Sequence, residues 1–192
     1  GPIVEIASRL FRRTLPPSIR LDVEVEHAPD CWVFADPIQL QQIVMNLGLN
    51  ARDAISNSGS IRIRIDPIDG NFDGILKPAI RLSVSDSGTG IPPDMLARIF
   101  EPFFTTKPRE QGTGLGLAVV HGIVTDHDGL IEVDSRYGEG STFSVTLPRV
   151  ARPVGVMETK PRTQIAPGVR TAIVVADSQL IRGLLSSMLS SI

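Results

Sequence analysis

The sequence predicts an α/β domain. Ile61/Ile63/Ile65, Ile80/Leu82/Val84 and Phe143/Val145/Leu147 place apolar residues at every second position, the period of a half-buried strand. Ahead of them, Leu40, Ile43, Val44, Leu47, Ala51 and Ala54 recur at helical steps and form one apolar stripe. With 42% hydrophobic and 21% charged residues among 192, the chain has the apolar content for one well-buried core, and its length is short for two full domains.

Gly1-Pro2 reads as a cleavage scar and is set aside. Residues 3–14 read as a short helix with Ile3, Ile6, Ala7 and Leu10 on one side, stopped by Leu15-Pro16-Pro17. Leu21, Val23 and Val25 alternate with Asp22, Glu24 and Glu26 as a strand, and Cys31-Trp32-Val33-Phe34 forms a shorter one. Asp36 then caps a helix over 37–55, with Pro37 in its first turn, where a missing N–H costs nothing. After the three alternating strands another is expected at Ile131/Val133, with helices at 93–99 and 115–127. The stretches 67–78 and 100–114 carry turn and loop chemistry. Residues 149–168, with Pro153, Pro161 and Pro167, read as an extended linker. Beyond it, Ala172-Ile173-Val174-Val175 is a buried-type strand and Gln179 to Leu189 a short amphipathic helix.

A formal net charge of −2 supplies no basic field for nucleic acid or an anionic membrane. No apolar run approaches the length of a membrane span, and the N-terminus lacks a signal-peptide pattern. A single cysteine, Cys31, excludes an internal disulfide and suits a reducing compartment. The expectation is a cytoplasmic piece, monomeric in isolation, that touches neither nucleic acid nor membrane.

Four local features carry chemistry. On the helix of 37–55, Gln39, Gln42, Asn46, Asn50 and Asp53 fall on a face apart from the apolar stripe. Two asparagines one turn apart are poor helix formers, and their carbonyls suit a hard cation such as Mg²⁺; a solvated face is the competing reading. Asp86-Ser87-Gly88-Thr89-Gly90 ends a strand, where a carboxylate can accept from an exocyclic amine and glycines let backbone approach a flat ring; a plain turn competes. Gly112-Thr113-Gly114-Leu115-Gly116-Leu117 opens a helix, offering N–H groups to phosphate, against the alternative of a hinge. It is neither a dinucleotide-binding fingerprint nor a P-loop. Phe100-Glu101-Pro102-Phe103-Phe104-Thr105-Thr106-Lys107 reads as a lid from which Lys107 or Arg109 reaches a terminal phosphate, or as an ordinary loop anchored by aromatics.

In order, Asp36-Pro37 through Asn46-Leu47-Gly48-Leu49-Asn50-Ala51-Arg52-Asp53-Ala54, then Asp86 to Gly90, Phe100 to Lys107, Gly112 to Leu117 and Gly138-Glu139-Gly140-Ser141-Thr142-Phe143 resemble the N, G1, F, G2 and final Gly-x-Gly-Ser/Thr boxes of the histidine-kinase ATPase family. The resemblance covers about residues 20–148. It implies a Bergerat-fold two-layer α/β sandwich, a mixed sheet packed against three main helices. It further implies that Asn50 holds Mg²⁺, with Asn46 one turn earlier near the phosphates, that Asp86 reads the adenine amino group, and that Ser141 assists it. Gly88, Gly90, Ile91 and Asp53 join the ATP site by the same resemblance. So do Gly112, Thr113, Gly114, Leu115, Gly116 and Leu117, with Asn46 and Lys107 as the catalytic pair.

The implied activity is transfer of the γ-phosphoryl group from Mg-ATP to a histidine, by positioning and charge neutralisation. His27, His121 and His127 do not fit the acceptor, so its helical hairpin is expected elsewhere in the kinase, with residues 3–19 as the tail of that region. A response regulator or receiver domain is the implied partner. Residues 169–192, with Asp177 flanked by Ala176 and Ser178, resemble the opening strand and helix of a receiver that lacks its usual acid cluster. Two departures bear on activity. Family members often carry lysine where this chain has Asp53, with Arg52 as a possible substitute, which keeps a nucleotide-binding pseudokinase in view. The hydrolytic gyrase-type ATPases place glutamate at the Asn46 position, and an amide cannot act as a general base for water.

Overall fold

A computed structural model of the chain describes residues 11–26, 32–72, 75–107 and 112–150. The start of the expected N-terminal helix, His27, Cys31, Arg109, the linker beyond Val150 and the receiver-like segment lie outside the described residues.

The described residues form a six-stranded mixed sheet and two α-helices. In chain order these are β1 (Ile19–Val25), β2 (Trp32–Val33), α1 (Pro37–Ala54), β3 (Gly59–Phe72), β4 (Ile75–Asp86), α2 (Gly116–Asp126), β5 (Leu130–Arg136) and β6 (Gly140–Val150). β1 lies parallel to β3, while β3–β4, β4–β6, β5–β6 and β2–β6 are antiparallel. Ile61 and Ile63 turn inward and are fully buried, whereas Arg62 and Arg64 between them are exposed. Against that apolar face pack Ile43, Val44, Leu47 and Ala51 of α1 and Val120, Ile123 and Val124 of α2. None of the helices described is long and apolar enough to cross a membrane.

The start of α1 follows from two residues. The Asp36 side chain accepts a hydrogen bond from the Ile38 N–H at 2.7 Å, and Pro37 occupies the first helical position. The helix ends at Ala54, where Ile55 turns extended and donates its N–H to the Arg52 carbonyl.

Four expectations need correction. The sandwich carries two described helices rather than three, because residues 93–100 form consecutive turns. The bonds that form there, Met95 N–H to Pro92 O, Leu96 N–H to Pro93 O and Arg98 N–H to Met95 O, span three residues instead of four, the spacing of tighter turns. Within the stretch 67–78, expected as loop, residues 67–72 and 75–78 are paired as the far part of β3 and β4. Its breakers Pro67, Gly70 and Pro78 sit within strands, and a side chain at Gly70 would meet the Phe72 ring, Ala79 and Thr146, so the arm is packed. Residues 11–15 are not merely the tail of a preceding region. The Phe11 ring is fully buried in the core, against Gly48 of α1. Finally, β6 continues through Val150, where Arg149 and Val150 pair with Val33 and Trp32.

Removing the α1 cap by Asp36→Ala is expected to cost about 1 kcal/mol of stability. In a domain of this size that is roughly a 2–4 °C loss of Tm. A calorimetric scan checks it, and an unchanged Tm would mean that packing alone sets where α1 begins.

Candidate functional site

A cavity of about 450 Å³ opens between α1, the end of β4, the loop 100–107 and the start of α2. α1 contributes Asn46, Leu49, Asn50, Asp53 and Ala54 to its wall. Asp86 ends β4 inside it, followed by Thr89, Gly90, Ile91 and Pro92. Thr105, Thr106 and Lys107 line it from the loop, and Gly112, Thr113, Gly114, Gly116 and Leu117 from the approach to α2. Ser141 and Phe143 of β6 complete the floor. Of the site residues expected from sequence, only Gly88 and Leu115 do not line this cavity. Gly88 instead packs against the end of α1, where a side chain would strike the Ala54 carbonyl. A wider groove of about 680 Å³ between residues 14–19 and the end of α1 shares only Asp53 with the cavity.

Register explains why Asp86 is where it is. As the last residue of β4 it stands opposite Ile61 on β3 and Ser141 on β6. Burial pushes its carboxyl above the usual carboxylate range, and N–H bonds from Gly88 and Ser141 offset only part of that. The Gly88 bond measures 2.8 Å. The backbone beyond Asp86 is fixed by glycine at both approaches. Gly90 has φ +65 and Gly140 φ +113, and a side chain at either would collide with backbone, at Arg136 and Asp86 respectively. Gly90 therefore answers first to the protein's own chain, rather than to a ring lying over it.

At the other end, Lys107 Nζ lies 2.6 Å from Asp53 Oδ2, and the Arg52 guanidinium holds Oδ1 at 2.6 Å. Burial raises the Asp53 carboxyl, but the hydrogen bonds and charges of Lys107 and Arg52 outweigh it and leave the group below its ordinary value. Arg52 does not reach the cavity wall; it lines the outer groove. Among these three side chains, Lys107 is thus the cation presented to the cavity. Asn46 Nδ2 donates to the Gly116 carbonyl at 3.2 Å, tying α1 to the start of α2 and leaving the amide oxygen for a ligand. The first turn of α2 has no side-chain cap, so its N–H groups are available at the cavity edge.

Two contributions escape sequence reading. Leu49, Met95, Ile99, Phe104 and Phe143 form apolar wall, and nothing in their spacing separates them from core residues. Ser135 accepts from the Ile91 N–H at 2.8 Å and lies 2.9 Å from the Ser141 hydroxyl, so it pins the post-Asp86 loop to β6. His121 stacks on Phe100 and His127 bonds the Ile123 carbonyl; neither lines the cavity.

A family model described as histidine kinase-, DNA gyrase B-, and HSP90-like ATPase matches residues 35–151. The chain is 38% identical over 178 residues to Sensor kinase CckA of Brucella abortus, covering 84% of this chain and 19% of the relative. It is 47% identical over 116 residues to Sensor histidine kinase ZraS of Escherichia coli, covering 60% of this chain and 23% of the relative. It therefore spans about a fifth to a quarter of the length of these relatives. Among solved structures, the nucleotide-free catalytic domain of histidine kinase ThkA superposes with a TM-score of 0.64 at 32% identity, over 77% of this chain and 91% of that one. Full-length ShkA in complex with AMPPNP gives 0.62 at 30% identity, over 79% and 30%.

Gly138 and Gly140 allow a controlled comparison, since both have positive φ but only Gly140 has backbone in the way. Gly138→Ala is expected to cost about 1–2 kcal/mol of strain alone. Gly140→Ala must also displace Asp86, so it is expected to cost more and to disturb the cavity. Equal losses in a denaturant titration would show that the Gly140–Asp86 approach is not tight.

Proposed function

The chain belongs to the histidine kinase-, DNA gyrase B-, and HSP90-like ATPase family, in the form found as the catalytic domain of sensor histidine kinases, and from that premise we propose that its cavity binds Mg-ATP and presents the γ-phosphoryl group to a histidine on a separate phosphoacceptor domain. The observation that carries this reading is convergence: helix amides, a strand-end carboxylate and a glycine-lined helix start all border one cavity. The AMPPNP complex of ShkA supports an adenine nucleotide as its occupant.

Asp86 accepts a hydrogen bond from the adenine amino group, with Ser141 beside it, and Ile91, Met95 and Ile99 supply apolar surface for the ring. The phosphates run toward Gly112–Gly116 and the uncapped start of α2, whose N–H groups and dipole favour negative charge. Lys107 adds a point charge there. Among the described residues no cluster of three or more His, Cys, Asp or Glu side chains is arranged to hold a metal. Amide oxygens from Asn50 and Asn46 fit a cation that takes most of its ligands from water and phosphate. Asn50, with Asn46 beside it, would hold such a Mg²⁺, which would supply charge neutralisation at the phosphates.

Transfer is favoured over hydrolysis by the same wall. Among the described residues its carboxylates are Asp86, at the end of β4, and Asp53, held by Lys107 and Arg52. Asn46 cannot take a proton from water. The acceptor histidine and a response regulator belong to the wider reading, supported by the kinship with CckA and ZraS. Residues 169–192 are read as the opening of a receiver-like domain on the resemblance of Ile173 to Ser178 alone.

Incubation with γ-labelled ATP and a separately made histidine-bearing acceptor domain is expected to give acid-labile phosphohistidine. Nucleotide binding without any transfer would leave the pseudokinase reading. Asn50→Ala is expected to remove the Mg²⁺ dependence of nucleotide affinity, and dependence retained in calorimetry would place the metal elsewhere.

Asp86→Asn is expected to weaken ATP binding by roughly 1.5–3 kcal/mol, the worth of a hydrogen bond to a charged group. The acceptor must be ionised, so affinity is expected to fall as pH drops through the raised Asp86 value, earlier than for an ordinary aspartate. The stability signs differ between the two carboxylates. Because the folded-state value of Asp86 is raised, its contribution to folding improves as pH falls through that value. The lowered value of Asp53 gives a contribution that is present above the unfolded value and lost as pH falls through the folded one. Hence unliganded Asp86→Asn is expected to be at least as stable as the parent while binding nucleotide poorly. Unchanged affinity between the two across pH would remove the adenine assignment.

A further inference from the structure

Gly48 lies in the interior of an 18-residue helix, a place where glycine weakens the helix. The reason for it is visible across the helix. A Cβ there would lie 2.9 to 3.1 Å from three atoms of the Phe11 ring, so glycine provides the notch in which the ring sits. Phe11 is fully buried, and its carbonyl is gripped by the Thr14 N–H at 2.8 Å and the Thr14 hydroxyl at 2.7 Å. From there the chain passes along the outer groove beside Arg52, Ile55 and Asn57 to enter β1.

The notch stands between the two asparagines of the cavity. Gly48 is two residues from Asn46 and two from Asn50, roughly 200° of helical turn in each direction. The asparagines line the cavity while the Phe11 ring bears on the flank turned away from it. α1 is therefore held between the ring on one side and the cavity on the other. Close-packed interiors have few voids to absorb a shift, so a change in the seat of the ring is passed to the helix it touches.

We propose that Phe11 and Gly48 form a coupling joint, in which seating of the Phe11 ring positions Asn46 and Asn50 and so lets the chain that enters through Phe11 tune nucleotide affinity. This rests on the reading of the cavity as a nucleotide site and adds a means of regulating it. Phe11 is a positioning residue in this scheme, since it acts through α1 and touches no ligand. Asn46 is the first residue to respond, because its amide also bonds the Gly116 carbonyl at the start of α2. A displaced α1 stretches that 3.2 Å bond and loosens the phosphate end of the cavity.

The test uses the 192-residue chain, a fluorescent ATP analogue and thermal melts on the same samples. Parent binding is measured first; if the parent binds no nucleotide, the cavity assignment itself fails. Given parent binding, Gly48→Ala and Phe11→Leu are each expected to weaken affinity about threefold to tenfold, the scale of couplings carried through packed side chains. The double variant, in which the smaller leucine makes room for the added methyl group, is expected to recover most of that loss. The side-chain amide signals of Asn46 and Asn50 in an NMR spectrum are expected to shift in the single variants and return in the double. Melting temperatures that fall while affinity stays within about twofold of the parent, with unshifted amide signals, would overturn the proposal and leave Phe11 as packing only. Affinity losses that simply add in the double variant would overturn it as well.

Discussion

The cavity depends on one half-buried carboxylate, Asp86, with no cation to pair it among the described residues. Asp86 is carried to its position by strand register, opposite Ser141 on β6, and is held by two backbone N–H groups. Two N–H bonds do not replace full hydration, and the raised carboxyl value is the signature of that deficit. In the proposed reading a ligand amine supplies what is missing. The surrounding geometry is built to keep the deficit in place: Gly140 admits the Asp86 carbonyl, Gly90 admits the Arg136 carbonyl, and Ser135 ties the Ile91 N–H to β6. Local stability is given up at the point where binding specificity is gained.

Where a residue's chemistry is local, it was legible in the sequence. Asp36-Pro37 specified the start of α1 because capping and a fixed φ act within a few residues. The strands at 61–65, 80–84 and 143–147 were legible because each has one wet face, which forces the period of two. What the sequence concealed was settled by contacts at long range. The breakers of 67–78 suggest a loop until the hairpin arm is seen packed near Thr146. Residues 93–100 have a composition that suits an α-helix, yet their backbone closes into turns with three-residue spacing. Phe11 stands outside the apolar side expected of the 3–14 helix, and only the notch at Gly48, 37 positions later, shows that it belongs to the core. The polar half of the cavity was readable because asparagine, aspartate and clustered glycine are unusual where they stand. Its apolar half, Met95 and Ile99 among it, was not, because a ligand-facing methionine and a core methionine have the same sequence signature.

The phosphate end of the cavity is organised by a pairing that inverts the usual arrangement of charge. A carboxylate at Asp53 would by itself repel phosphate, yet it faces two cations, Lys107 and Arg52, and the three side chains together carry a net positive charge. Asp53 thus works less as a ligand contact than as an anchor that brings the lysine of the 100–107 loop to the cavity wall. Because Lys107 and Asp53 are only about a third exposed, their attraction is screened less than a surface pair, and it fixes the lysine at modest cost. A helix-borne lysine would present its charge permanently. Here the charge arrives from a separate loop and is held by Asp53.

These two ends make the site electrostatically asymmetric, and the asymmetry argues for what it can do. One end holds an anion short of donors, suited to an exocyclic amine. The other offers a lysine and the uncapped N–H groups of α2, suited to a polyphosphate. A nucleotide lying between them satisfies both demands at once, whereas phosphate alone or adenine alone satisfies one. Among the described residues the carboxylate at the lysine end is Asp53, held on one oxygen by Arg52 and on the other by Lys107. Such a site can hold and polarise a phosphoanhydride but has little means of activating water against it. Under the proposed reading the nucleophile comes from outside, already competent to attack, as in transfer to an imidazole.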